Sequence, residues 1–212
     1  MKTGVLFDLD GVLIDSESIY TEFWAGIDRV YPTHVDDFAH IIKGSTLPKI
    51  LDTYFPDADK QNDILRRIAD FEKAMVYRPF PEAMLFVDQL NANGIDCAIV
   101  TSSSRQKMEN LHAQNPSFRS RFKAVITSDV VTHSKPHPQP YLLGAEALGI
   151  NASQCYVFED SLSGIESGIA AGATVIGLAT TLPLSEIKGK AHKTIESFAG
   201  FSVSDMLSVK RD

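Results

Sequence analysis

The sequence predicts an α/β protein in which helices cover both faces of a parallel β-sheet and a helical segment interrupts the sheet. Three observations support this fold class. From residue 80 onward, short apolar runs alternate with amphipathic stretches, as in parallel strands joined by helices. The first run, Thr3 to Phe7, is continuously apolar, which is typical of a strand buried on both faces. Between Asp15 and Pro81, strand signals vanish and apolar residues recur at helical spacing.

The elements of the predicted sheet follow one another from Pro81. In chain order they are a helix to Asn93 closed by Gly94, a strand over Ile95–Thr101, a helix around Met108, a short strand near Val125, a helix through Leu148, a strand over Cys155–Glu159, a helix to Ala171 and a strand over Thr174–Leu178. The chain after Thr181 carries no clear pattern, so no element is predicted there.

Four apolar stripes predict four short helices in the interrupting segment. The first stripe ends at Pro32, and the second ends at Gly44, a residue type that suits a helix C-cap. The third begins near Leu47, and the fourth ends near Met75. We therefore predict a discontinuous core and an inserted helical domain. Their predicted bounds are 1–15 and 80–212 for the core and 16–79 for the insertion.

Composition and charge exclude several classes of function. The 212 residues are 44% hydrophobic, which is enough for a substantial core. A net charge of −7 gives no general attraction to nucleic acid or to an anionic membrane. Cys97 and Cys155 fall in predicted buried strands, so neither a disulfide framework nor a metal cluster is indicated. No segment approaches the roughly 20 apolar residues of a membrane span, and no leader precedes the first strand, so a soluble, cytoplasmic protein is expected.

Asp8 and Asp10 end the first apolar run and begin a turn at Gly11. Strand side chains alternate with a period of two, so both carboxylates are expected on the same side. Such a pair at the end of a buried strand is costly unless a cation or a reaction uses it. An isolated pair is most often an ordinary acidic turn, but three further motifs decide against that interpretation.

These three motifs also stand where predicted strands end. Thr101 and the serines Ser102–Ser104 suit a phosphate at a strand-to-helix junction, although they equally suit helix capping. Lys135 precedes the proline-rich start of a helix, where a solvated surface lysine is the alternative. Glu159 and Asp160 close another apolar run, and Asp160 suits capping of the next helix equally well. Open α/β sheets bind ligands at the carboxyl ends of their strands, so these motifs are expected to converge.

In this order, the motifs resemble those of the haloacid dehalogenase-like phosphotransferases, and most closely the β-phosphoglucomutase-like subgroup. The resemblance covers nearly the whole chain and rests above all on two strings, Asp8-Leu9-Asp10-Gly11-Val12-Leu13-Ile14-Asp15-Ser16 and Glu159-Asp160-Ser161-Leu162-Ser163-Gly164-Ile165. It implies a Rossmann-like core with a cap domain that opens and closes over the active site. It also implies a magnesium-dependent phosphatase for a small phosphorylated metabolite, and a sugar phosphate is the expected substrate. A monomer is expected, without nucleic acid or membrane partners.

The resemblance implies a role for each motif. Asp8 is expected to attack phosphorus and form an aspartyl-phosphate, a known covalent strategy for carboxylates. Asp10 is expected to act as general acid and then as general base, and burial together with a neighbouring phosphoryl charge is expected to favour the protonated form that this needs. Thr101, with backbone N–H groups near Ser102, is expected to hold the phosphoryl oxygens. Lys135 is expected to offset the charge of the phosphoryl group and of Asp8.

A Mg²⁺ site is implied by the same resemblance. Its expected ligands are the Asp8 carboxylate, the main-chain carbonyl of Asp10 and the Asp160 carboxylate, with Glu159 acting directly or through water. Hard oxygen ligands suit this ion. Lys43, on the loop of the cap, is expected to bind substrate, and a solvated lysine before a helix-ending glycine is the open alternative.

The cap sequence bears on the choice between hydrolysis and isomerisation. The mutases that this chain resembles use a histidine on the first cap helix and an arginine on a cap loop. Tyr20 and Leu47 occupy those positions here. Both losses favour water as the final acceptor, so we predict a phosphatase, with a β-phosphoglucomutase-like mutase as the alternative. A non-enzymatic sensor of phosphorylated metabolites would tolerate the loss of Asp8 or Asp10, and both are present.

Overall fold

The structure is a computed structural model that describes residues 2–43 and 45–209. Its strands are β1 (Gly4–Phe7), β2 (Asp96–Val100), β3 (Ala124–Ile126), β4 (Cys155–Glu159), β5 (Thr174–Leu178) and β6 (Lys193–Ile195). Within the described residues they form one sheet in the order β3-β2-β1-β4-β5-β6, and each neighbouring pair is parallel. The predicted α/β class with a parallel sheet is confirmed.

Helices surround this sheet and fill the segment between β1 and the rest of the core. They are α1 (Glu17–Val30), α2 (Phe38–Ile41), α3 (Leu47–Tyr54), α4 (Ala58–Ala74), α5 (Pro81–Ala92), α6 (Arg105–Gln114), α7 (Gln139–Leu148), α8 (Leu162–Ala170), α9 (Leu184–Ile187) and α10 (Val203–Leu207). We call α1 to α4 the inserted helices. Nowhere in 2–43 or 45–209 is a helix both long and apolar enough to cross a lipid bilayer.

Separate apolar clusters cover the two faces of the sheet. In β1, Val5 and Phe7 join the cluster beneath α5, α6 and α10, whereas Leu6 joins the cluster beneath α7, α8 and α9. This alternation follows from the two-residue repeat of a strand. The ring of Phe7 stacks on that of Phe158 in β4, with centroids 5.1 Å apart. Because both faces of the sheet are buried, the sequences of the central strands are continuously apolar.

The inserted helices have an apolar cluster of their own. Its buried members are Trp24, Ile27, Phe38, Ile42, Ile50, Leu51, Phe55, Ile64 and Ile68. The four predicted stripes therefore supply most of this cluster. Val30 also falls on the first predicted stripe, but it lies in the last turn of α1 and is 49% exposed. Met75 packs instead in the cluster beneath α5.

Differences from the sequence predictions fall on short elements. The second predicted helix is a single turn, Phe38–Ile41, and its predicted cap, Gly44, lies outside the described residues. Beyond Thr181, where no element was predicted, the structure contains α9, β6 and α10. These elements have three to five residues each, too few for a hydrophobic period to be recognised. Gly94 has φ of 69°, the conformation expected where it ends α5.

The packing of α7 on the sheet provides a stability test at Gly144. A Cβ atom there would lie 2.6 Å from Cγ2 of Val100 and 3.2 Å from Cδ2 of Leu6. We expect Gly144→Ala to lower the free energy of unfolding by about 2 kcal/mol, because overpacking displaces buried strand residues. Urea denaturation measures this change.

The matched control is Gly26→Ala in α1, where the nearest atom to the new Cβ is Nη2 of Arg29 at 3.7 Å. Here alanine is expected to stabilise the helix by up to about 1 kcal/mol. Equal effects at the two positions would contradict the described packing of α7.

Candidate active site

Three adjacent strands end at one edge of the sheet and bring the predicted residues together. Asp8 follows β1, Thr101 follows β2, and Glu159 with Asp160 closes β4. The backbone N–H of Asp8 donates to the carbonyl of Phe158 at 3.0 Å, and that of Thr101 donates to Ile126 at 2.9 Å. Sheet pairing therefore continues to these residues and fixes their positions. They line a pocket of about 320 Å³ together with residues from the inserted helices.

Lys135 lies in the loop between β3 and α7 and is 2% exposed, so the surface-lysine alternative is wrong. Its ammonium donates to Oδ1 of Asp8 and to Oε1 of Glu159, each at 2.6 Å. A third bond reaches the carbonyl of Val100 at 3.2 Å. Burial opposes the charge, but the two carboxylates outweigh it and raise the pKa of Lys135 above its ordinary value. The ammonium therefore stays charged at neutral pH.

Glu159 has protein donors at both carboxylate oxygens. The Tyr141 hydroxyl donates to Oε1 at 2.9 Å, beside the bond from Lys135. Oε2 accepts from the backbone N–H groups of Asp160 and Ser161 and from the Ser161 hydroxyl, each at 3.0 Å. A Cβ atom at Gly164 would lie 1.7 Å from Oε1, so only glycine leaves room for this carboxylate. The site holds Glu159 in one orientation.

Asp8, Glu159 and Asp160 form a buried acidic group whose ligand atoms lie within 4.8 Å of one another. Burial raises the pKa of Asp8 to about 7, although Lys135 opposes this rise. Burial, followed by the nearby carboxylates of Glu159, Glu17 and Asp8, raises the pKa of Asp160 well above its ordinary value. Three carboxylates thus face one ammonium. This surplus of negative charge on oxygen donors fits a divalent cation such as Mg²⁺.

Serines, and not Thr101 or Asp160, cap the helices that follow these motifs. The N-cap of α8 is Ser161, whose hydroxyl accepts from the N–H of Gly164, and Asp160 is left to face the pocket. The N-cap of α6 is Ser104, whereas Thr101 and Ser102 line the pocket. Thr101 is buried, and its hydroxyl accepts the N–H of Ser103 at 3.0 Å. The structure therefore places Thr101, Ser102 and Asp160 beside Asp8.

Asp10, whose side chain is 18% exposed, forms a second charge pair with the buried Lys107, which the sequence analysis missed. Nζ of Lys107 lies 2.6 and 2.7 Å from its two carboxylate oxygens. The Ser103 hydroxyl donates at 2.8 Å, and the Ser16 hydroxyl also donates. Burial alone would raise the pKa of Asp10, but Lys107 and the two hydroxyls hold it below its ordinary value. Lys107 and the two hydroxyls therefore favour the ionised form of Asp10, and the protonated form expected beside a phosphoryl group stays a prediction.

Lys107 connects this pair to the inserted helices. Its side chain is almost fully buried, and the ring of Tyr20 in α1 covers its ammonium at 4.2 Å. The Tyr20 hydroxyl donates to Oε1 of Glu72 in α4 at 2.7 Å. A sequence signal existed, because Lys107 stands four residues before Leu111 and thus on the buried side of α6. A lysine at an apolar position of a helix indicates a buried partner.

Lys43 follows α2 and lines the same pocket. Its ammonium lies 3.1 Å from Oε2 of Glu17, and its side chain is only 13% exposed, so the solvated alternative does not hold. Burial raises the pKa of Glu17 and also that of Glu72. Leu47, which the sequence analysis placed where similar mutases carry an arginine, also lines the pocket. The inserted helices thus provide one wall of the pocket.

Sequence comparisons identify the family. A family model described as haloacid dehalogenase-like hydrolase matches residues 2–172. The chain therefore belongs to the haloacid dehalogenase-like hydrolases, as its motifs predicted.

Relatives with named activities include two phosphatases. Hexitol phosphatase A of Escherichia coli is 32% identical, over 89% of this chain and 90% of that protein. Glycerol-1-phosphate phosphohydrolase 2 of Saccharomyces cerevisiae is also 32% identical, over 88% of this chain and 78% of that protein. A third relative, the chloroplastic protein SUPPRESSOR OF QUENCHING 1 of Arabidopsis thaliana, is 30% identical over 97% of this chain, which spans only 21% of its length.

Solved structures share the fold over the full chain. A family IA, variant 3 hydrolase of this superfamily from Entamoeba histolytica superposes with a TM-score of 0.82 and 26% identity, covering 99% of both chains. The β-phosphoglucomutase of Clostridium difficile superposes with a TM-score of 0.80 at 19% identity, covering 98% of this chain and 96% of that one. At that identity the second likeness shows the fold alone.

The Asp10–Lys107 pair predicts a pH-dependent stability. We expect Lys107→Met to lower the free energy of unfolding by about 3 kcal/mol near neutral pH, because it leaves a buried carboxylate without its cation. Without Lys107, burial raises the pKa of Asp10, so the variant takes up a proton at a higher pH than the wild type does. The difference should therefore shrink as the pH falls from about 7 toward about 4. Urea denaturation over this range measures it.

Lys123→Met is the matched control, since Lys123 pairs with Asp96 at 2.9 Å but is 47% exposed. Its loss should cost less than about 1 kcal/mol at every pH. Equal penalties for the two variants would contradict the buried pair.

Proposed function

We propose that this protein is a Mg²⁺-dependent phosphatase that hydrolyses a small phosphorylated metabolite, a sugar phosphate, through an aspartyl-phosphate on Asp8. The observation that carries the proposal is the position of Asp8. Its carboxylate faces the pocket at the carboxyl end of β1, 2.6 Å from the Lys135 ammonium and next to two further buried carboxylates. The two relatives named as phosphatases of a hexitol phosphate and of glycerol 1-phosphate support the same substrate class.

The proposed reaction has two displacements at phosphorus. Asp8 forms a bond from its carboxylate oxygen to phosphorus, the bond to the leaving oxygen breaks, and that oxygen takes a proton from Asp10. Water then attacks the same phosphorus and gives its proton to Asp10. The bond between phosphorus and the Asp8 oxygen breaks, so that phosphate is released and Asp8 is restored. The arriving phosphoryl charge favours the protonated Asp10 that the first displacement needs, whereas its ionised resting form suits the second.

The phosphoryl oxygens would be held by groups that already surround Asp8. We assign this role to the Thr101 hydroxyl, to backbone N–H groups near Ser102 and to the Lys135 ammonium, which act electrostatically on the transition state. Mg²⁺, when bound, would neutralise charge that develops on the phosphoryl oxygens.

The ligands that we propose for Mg²⁺ are the Asp8 carboxylate, the Asp10 carbonyl and the Asp160 carboxylate. In this proposal Glu159 contacts Mg²⁺ through water or orients Lys135 and Asp160, because protein donors already occupy both of its carboxylate oxygens.

The segment 16–79 would serve as a cap over this site. Its helices α1 and α4 and the loop with Lys43 line the same pocket as Asp8, and its apolar cluster is separate from those of the sheet. Tyr20 and Leu47 stand where similar mutases carry a histidine and an arginine, and Tyr20 is engaged with Glu72. This arrangement favours transfer of the phosphoryl group to water.

Asp8→Asn tests the nucleophile. We expect kcat for release of phosphate from a panel of sugar phosphates to fall by at least about 10³-fold, because the amide cannot form the covalent intermediate. The variant should keep the wild-type melting temperature or exceed it, since a neutral amide replaces a buried acid. Asp88→Asn is the control, because Asp88 pairs with Arg121 on the surface.

Metal dependence and product identity complete this test. A chelator should abolish turnover by the wild type, and added Mg²⁺ should restore it. Substantial turnover by a folded Asp8→Asn variant would contradict the nucleophile. Formation of glucose 6-phosphate from glucose 1-phosphate and a bisphosphate activator would favour the mutase instead.

A further inference from the structure

The wall of the pocket that the inserted helices and the loop with Lys43 form carries an unusual set of charges. We call it the distal wall and define it by Glu17, Tyr20, Thr21, Lys43 and Glu72, all of which line the pocket. If the phosphoryl group lies beside Asp8, as in the proposed function, the rest of the substrate extends toward this wall. Its charges therefore face the leaving group.

The lysines that line the pocket are already paired with carboxylates. Nζ of Lys43 lies 3.1 Å from Glu17, and Nζ of Lys107 lies 2.6 Å from Asp10. Among the pocket-lining residues that the structure describes, there is no arginine. Glu72 adds a carboxyl whose partner is the Tyr20 hydroxyl, and in either protonation state it provides no positive charge. The distal wall therefore offers no unpaired cation to an anion.

We propose that the distal wall restricts the substrate to phosphate monoesters whose leaving group is neutral and carries hydroxyls, and that Glu17 determines this specificity by neutralising Lys43. This inference rests on the proposed function and narrows its substrate class. A pocket of about 320 Å³ also limits the leaving group to a small molecule.

The physical reason is the cost of burying a second anion. A carboxylate or second phosphate that enters this pocket loses its hydration and needs a cation in return. The ammonium of Lys43 could donate to this anion while it still contacts Glu17, but Glu17 already offsets its charge and would place a largely buried like charge beside the anion. A hydroxyl meets no such cost, because it can donate to a carboxylate oxygen of Glu17 and accept from the ammonium of Lys43. The wall thus discriminates by repulsion as well as by attraction.

A pair of substrates of equal size isolates this charge effect. Glycerol 3-phosphate and 3-phosphoglycerate differ in one terminal group, a CH₂OH in the first and a carboxylate in the second. We expect kcat/KM of the wild type to be at least about 100-fold higher for glycerol 3-phosphate than for 3-phosphoglycerate. The carboxylate of 3-phosphoglycerate would lie beside the carboxylate of Glu17, and two like charges in contact are strongly disfavoured. The ratio of the two kcat/KM values is the measured quantity.

Glu17→Gln should change this ratio through a gain of activity. Because the amide is neutral, Lys43 becomes available, and we expect kcat/KM for 3-phosphoglycerate to rise by at least about 10-fold. The double variant Glu17→Gln with Lys43→Met should lose that gain. Glu22→Gln is the matched control on α1, where Glu22 is exposed, and should leave the ratio unchanged.

The outcomes separate this inference from the proposed function. A wild type that hydrolyses both esters equally well would overturn the role of the distal wall while leaving the phosphatase in place. A ratio that does not change in Glu17→Gln would overturn the role of Glu17 in the same way. A wild type that releases no phosphate from any ester tested would instead overturn the proposed function.

Discussion

The ammonium of Lys135 bridges Asp8 and Glu159, and the arrangement of the site depends on this interaction. Parallel pairing sets Phe7 opposite Phe158, so the acids that follow β1 and end β4 must lie side by side. Buried carboxylates at such a separation repel one another more strongly than they would at the surface. A lysine from the loop after β3 reaches across β2 to join them, which ties that loop to the centre of the sheet.

Charge pairing extends outward from this bridge to the inserted helices. Lys107 binds Asp10 from α6, and Tyr20 covers the same ammonium from α1. Lys43 and Glu17 form a third pair at the distal wall. Each pair lies where water is largely excluded, so each carboxylate matters to its neighbours more than it would on the surface. The proposed chemistry at Asp8 and the proposed selection of the leaving group would thus be linked through one electrostatic system. Its surplus of negative charge lies at the acidic group that could hold a divalent cation.

Sequence reasoning succeeded where a local pattern carries the physical cause. β4 and β5 were predicted with their observed bounds, because strands buried on both faces are continuously apolar and end at polar residues. The motifs at Asp8, Thr101 and Glu159 were found for the same reason, since each stands at the end of such a strand. Lys135 differs, because it lies in the loop between the half-buried β3 and α7. Reasoning failed for β6, whose three residues show no period. It also missed Lys107 as the partner of Asp10.

The sequence by itself determined the fold class, the order of the central strands along the chain and the chemical groups at their ends, because periodicity and strand ends are local properties. Only the tertiary structure decided which charges meet. Asp10 and Lys107 are 97 positions apart along the chain, yet their charged atoms lie 2.6 Å apart. The energy of such a pair depends on distance and burial, and neither is encoded in the spacing of residues along the chain.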